Sequence, residues 1–84
     1  MSDDIELLKK KIIYKSSYRG IKELDIILRS FVKKYINNLS VNDLNDLLIF
    51  LDNNDDDIFK FKQDKEGKKI KNNNISILFK NYNI

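Results

Sequence analysis

The chain has 84 residues, 42% hydrophobic and 35% charged, with a formal net charge of +3, a globular composition at a length suited to one domain near the lower limit for unaided folding. It holds no Cys, His or Pro, which excludes disulfides, thiol nucleophiles, a zinc ribbon, a Ser-His-Asp triad and histidine metal ligands. No apolar run approaches the ~20 residues of a bilayer span, and the acidic start Met1-Ser2-Asp3-Asp4-Ile5-Glu6 lacks the features of a targeting peptide, so a cytoplasmic protein without membrane insertion is expected.

A first helix is expected from about Asp4 to Ser16. Asp3 and Glu6 have the spacing of a capping box, and Ile5, Leu8 and Ile12 share one face. Lys9, Lys10 and Lys11 fall in its second half, where cations suit the helix dipole. Gly20 then ends or interrupts the helix. The clearest element follows. Ile21, Leu24, Ile27, Leu28, Phe31, Val32, Tyr35 and Ile36 recur at intervals of three and one residues, a single apolar stripe on a helix of about four turns. Lys22, Arg29, Lys33 and Lys34 occupy its other face.

Ser40 announces a third helix, with Asp43 placed to complete a capping box and Leu39 and Leu44 spaced as a hydrophobic staple. Its buried stripe is expected to be Val41, Leu44, Leu47, Leu48 and Leu51. Asp55 or Asp56 is expected to cap a short helix carrying Ile58, Phe59 and Phe61. Residues 63–74 read as a loop containing Gly67, and Ile75, Leu78, Phe79 and Tyr82 mark a last helix over about 75–82. The C-terminus is expected to be loosely held. No run has a convincing period of two, so the fold class is all-α: a small bundle of four or five helices forming one domain over residues 1–84.

Charge is unevenly spread. Residues 1–59 hold nine basic and eleven acidic side chains, whereas residues 60–84 hold seven basic and two acidic ones. Lys60, Lys62, Lys65, Lys68, Lys69 and Lys71 form a basic run. It reads either as a solvated loop or as a contact for nucleic acid or an anionic membrane; only Phe61 lies within it as a stacking platform. Asp52, Asn54 and Asp56 have the spacing of a calcium loop, but Asp57 stands where that loop needs Gly and Gln63 where it needs Glu. Glu23 and Asp25, two apart on a helix, do not share a face and make no acid/base pair. No catalytic residue and no metal site is expected.

The segment Tyr18-Arg19-Gly20-Ile21-Lys22-Glu23-Leu24-Asp25 gathers charges and a glycine at a helix junction. Two readings stand. Arg19 and Glu23 form an exposed i,i+4 ion pair with Gly20 as a plain helix stop. Alternatively, the junction is a docking surface, where a partner backbone approaches the bare Gly20 and Arg19 offers a planar fork to a carboxylate or carbonyl.

This segment resembles the Arg-Gly-x-x-Glu signature, commonly followed by Leu-Asp, of the SdhE-type succinate dehydrogenase flavinylation factors. Here it stands as Arg19-Gly20-Ile21-Lys22-Glu23-Leu24-Asp25. The likeness continues through Asp25–Phe31, Leu39-Ser40, Leu47-Leu48, Leu51-Asp52, Asp55 and Asp57-Ile58-Phe59, over roughly residues 5–61. The chain departs from the family at Tyr18, where many relatives have Arg, at Phe61, where many have Trp, at Lys62, where many are apolar, and over its last twenty residues. The resemblance implies a five-helix bundle that is not an enzyme. It would bind the flavoprotein subunit of succinate dehydrogenase or fumarate reductase and promote covalent FAD attachment to a histidine of that subunit. Arg19, Gly20 and Glu23, supported by Asp25, would form the partner-binding site. The chain itself would hold no flavin stably and would act as a monomer. Two other functions compete with this one: a small basic nucleic-acid-binding protein, suggested by the Lys60–Lys71 run, and an antitoxin-like adaptor.

Overall fold

The computed structural model describes residues 2–63 and 70–83. The apolar stripes become five helices: α1 (Ser2–Lys15), α2 (Lys22–Tyr35), α3 (Val41–Leu51), α4 (Asp55–Lys62) and α5 (Asn74–Lys80). No strand occurs among the described residues, so the expected all-α bundle is observed with five helices. α1 packs on α3 and α2, α3 on α5, and α4 on both α2 and α5. Most of the expected loop, residues 64–69, lies outside the described residues.

The helix starts follow capping chemistry, with three departures from expectation. α1 already includes Ser2, so Asp3 lies inside its first turn and does not cap it. Ser40 caps α3 as expected, its hydroxyl accepting the Asp43 amide at 3.2 Å. α4 is capped by Asn54, whose Oδ1 accepts the Asp57 amide at 2.9 Å; Asp55 and Asp56 are helical residues instead of caps. Several acids in one turn leave the cap position ambiguous in sequence, since Asn and Asp cap about equally well. α5 begins with a full capping box, Asn73 and Ser76 exchanging bonds of 2.9 Å each, and it ends at Lys80, two residues before the expected boundary.

One hydrophobic cluster runs from Ile12 on α1 to Tyr82 beyond α5. Leu24, Leu28, Phe31 and Val32 of α2 are buried, as their stripe predicts. On α3 the buried residues are Leu44, Leu47, Phe50 and Leu51; Val41, expected inside, is about half exposed. The first turn of α3 projects past α1, and Phe50 takes the inward place nearer α5. Aromatic rings fill the centre. Phe31 lies 5.1 Å from Tyr35, 5.3 Å from Phe79 and 5.4 Å from Tyr82, centroid to centroid. Phe50 lies 5.3 Å from Phe79. These tilted and edge-on pairings suit the ring quadrupoles.

The C-terminus is not loosely held. Tyr82 is buried, and its hydroxyl bonds to that of Ser30. Lys62, at the end of α4, donates to the carbonyls of Lys80, at 2.8 Å, and Tyr82. It thereby caps the negative end of α5. Burial pulls the Lys62 ammonium below the ordinary lysine pKa. Lys62 is therefore tied into the fold and is not part of a free basic run, while Lys65, Lys68 and Lys69 of that run lie outside the described residues.

Candidate functional site

The junction between α1 and α2 is built by one arginine. α1 stops at Lys15, leaving carbonyls that need donors. α3 stops at Leu51 with the same need. Arg19 turns inward, its side chain only 11% exposed, and serves both ends. Its Nη1 donates to the carbonyls of Lys15 at 2.6 Å and Leu51 at 3.2 Å, and its Nη2 to that of Asn53 at 3.1 Å. Its Nε donates to Asp55 Oδ1 at 2.7 Å. A cation suits the negative ends of α1 and α3, and the Asp55 carboxylate suits the positive start of α4. A guanidinium alone has the planar set of donors for four such bonds. Lys15 and Asp52 form a second ion pair at the same junction.

Gly20 completes the clamp. Its amide donates to the other carboxylate oxygen, Asp55 Oδ2, at 2.6 Å. A Cβ at this position would stand 3.0 Å from that oxygen, tighter than ordinary contact. Glycine is therefore required by close approach and not by a positive φ, which Gly20 does not have. Gly20→Ala is expected to cost about 1 kcal/mol in thermal unfolding, the Asp55 carboxylate being pushed off the amide. In an Asp55→Ala background the same substitution should be neutral, a coupling that a double-mutant cycle reads directly.

The expected site residues thus divide. Arg19 and Gly20 are brought together with Asp55. Neither sequence reading of Arg19 describes its position: it forms no ion pair with Glu23, and its fork is spent on internal carbonyls and Asp55, not held out for a partner. Glu23 lies exposed in the first turn of α2 with no hydrogen bond or ion pair among the described residues. Asp25 is partly buried. Its Oδ2 lies 3.8 Å from Arg29, and its Oδ1 is buried without a hydrogen-bond partner. Asp55 was missed as a site residue. The available signal was the Asp55–Asp57 run, which holds more carboxylates than one helix start can use.

What the clamp leaves facing water is a surface. Gly20, Lys22 and Glu23 are exposed. Beside them Tyr14, Lys15, Ser17, Tyr18, Arg19 and Asp55 line a cleft of about 350 Å³. No described helix is long and apolar enough to cross a membrane.

Five short helices around an aromatic core, with an Arg-Gly elbow pinned by an aspartate, define a class of small helical bundles that present a surface. The chain belongs to the family described as flavinator of succinate dehydrogenase, whose model matches residues 10–82. That match reaches through α5 to Tyr82, further than the likeness read from the sequence. A protein of Dictyostelium discoideum named succinate dehydrogenase assembly factor 2, mitochondrial, is 40% identical over 58 residues, 69% of this chain and 41% of that protein. Proteins of the same name from Scheffersomyces stipitis and Aspergillus flavus are 37% and 33% identical over 57 residues, 68% of this chain. The chain spans 38% and 20% of those two proteins, so it covers less than half of each of the three. No solved structure matches. Nothing in these matches supports a nucleic-acid-binding or antitoxin-like reading.

Proposed function

We propose that this chain is an assembly factor that binds the flavoprotein subunit of succinate dehydrogenase, or of a related fumarate reductase, and promotes covalent attachment of FAD to it. The observation that carries this reading is the pinned Arg19–Gly20 elbow, in a chain of the flavinator family. The chain contains no His, so the acceptor histidine belongs to the client and the bond forms there. The chain contributes binding, not catalysis, and keeps no flavin of its own. One copy acts on one client. To promote attachment it must bind the client state in which FAD and histidine are in reach more tightly than the other states; equal affinity would shift nothing. Arg19 is then a positioning residue, holding Gly20 and Glu23 in a fixed relation, and Asp25 supports the same turn of α2. A cytoplasmic site of action belongs to this proposal. The curated relatives carry mitochondrial in their names, so the shared requirement is access to the client before its assembly.

The test is reconstitution with the purified flavoprotein subunit and FAD, following covalent flavin by in-gel fluorescence. The wild-type chain should accelerate its appearance. Gly20→Arg, which places a long side chain on the surface, and Glu23→Ala, which leaves the fold intact, should each slow it about tenfold or more. Equal rates with and without the chain would overturn the function. Unchanged rates with both variants would overturn the elbow as its site.

A further inference from the structure

Tyr18 has φ 58, in the left-handed region that glycine or asparagine normally takes where a helix ends. A tyrosine there is strained, and its ring does not compensate: it is 85% exposed and so adds almost no burial to the fold. Tyr14, in the last turn of α1, is 75% exposed and lines the same cleft beside Arg19 and Asp55. Two rings of the kind that dominate protein interfaces therefore stand in water at the pinned elbow. The fold has no use for either ring. The backbone that aims Tyr18 outward is fixed by the adjacent Arg19, bonded to Lys15 and Asp55.

The charges say what the rings would meet. Both cations lining the cleft are neutralised, Lys15 by Asp52 and Arg19 by Asp55. Nothing there calls for an anion. Glu23 and Asp56 are exposed and make no ion pair among the described residues, against Lys22 as the exposed base of the same turn. A cation is attracted both to the face of a tyrosine ring and to an unpaired carboxylate.

We propose that Tyr14 and Tyr18 are the anchors of the docking surface, and that the client segment they hold is basic. A Lys or Arg of that segment packs on the rings with its charge toward Glu23. This rests on the assembly-factor reading and adds to it the residues that carry affinity and the chemistry of the segment bound.

The probe is the purified flavoprotein subunit before flavin attachment, with affinity measured by calorimetry at low and high salt. Tyr14→Ala and Tyr18→Gly should each weaken binding about tenfold or more. Tyr18→Gly keeps the left-handed backbone at no steric cost, so its melting temperature should hold, and the weakening then reports the ring. Glu23→Lys should weaken binding most at low salt. Both tyrosine variants within about twofold of wild type, or tighter binding by Glu23→Lys, would overturn this inference. Wild-type binding and flavin attachment would then leave the assembly-factor function standing. A wild-type chain that neither binds the subunit nor speeds attachment overturns both.

Discussion

Arg19→Ala is expected to lower the unfolding free energy by about 3 kcal/mol, a fall in melting temperature on the order of 10–20 °C for a domain of this size. The deletion leaves the carbonyls of Lys15, Leu51 and Asn53 without their donor and Asp55 without its counter-ion, at the ends of three helices at once. Asp55 remains 26% exposed, so water relieves part of its charge and keeps the loss below the extreme for a fully buried pair. Arg19→Lys should recover only part of it, because one ammonium cannot reach four acceptors spread around a plane. A urea midpoint that moves by less than about 1 kcal/mol would mean that the clamp is not what holds the elbow.

Phe79→Ala should be at least as costly, at about 4 kcal/mol. The ring is fully buried and touches Phe31 and Phe50, with the Lys62 ammonium 5.4 Å from its centroid. Its removal opens a cavity at the meeting point of α2, α3 and α5, where rigid rings collapse poorly onto the space. Hydrogen exchange should show the loss concentrated in residues 74–82, which keep only Ile75, Tyr82 and the Lys62 cap as anchors, while α1 and α3 stay protected longer. Protection lost evenly across all five helices would argue against α5 as a separable layer.

The helices were legible because their signals are local. The three-and-one spacing of Ile21 to Ile36 and the cap at Ser40 each fix an element from a few adjacent residues. Val41 and Asp55 were misread for the opposite reason. Whether Val41 is covered depends on how far α1 extends beside it, and whether Asp55 caps or pairs depends on an arginine 36 positions away. No period carries that information. The elbow was found by composition, a charge cluster with a glycine, and by resemblance. The composition was right about place and wrong about use: the guanidinium that looked available is the most heavily bonded side chain of the junction. The exposed tyrosines drew no notice in sequence, since an aromatic residue near a helix end is ordinarily core. Only the positive φ and the solvent around the ring reveal Tyr18 as costly to the chain.

The seating of Tyr82 has a consequence for biosynthesis. Its ring closes over Phe31 and Tyr35, and Lys62 reaches across to its carbonyl, contacts between parts of the chain made far apart in time. Until translation has passed that tyrosine, the nascent polypeptide carries a half-lidded aromatic centre that cannot close on itself. Ribosome-associated chaperones therefore have a defined window in which to meet this protein, and it ends when the last ring arrives.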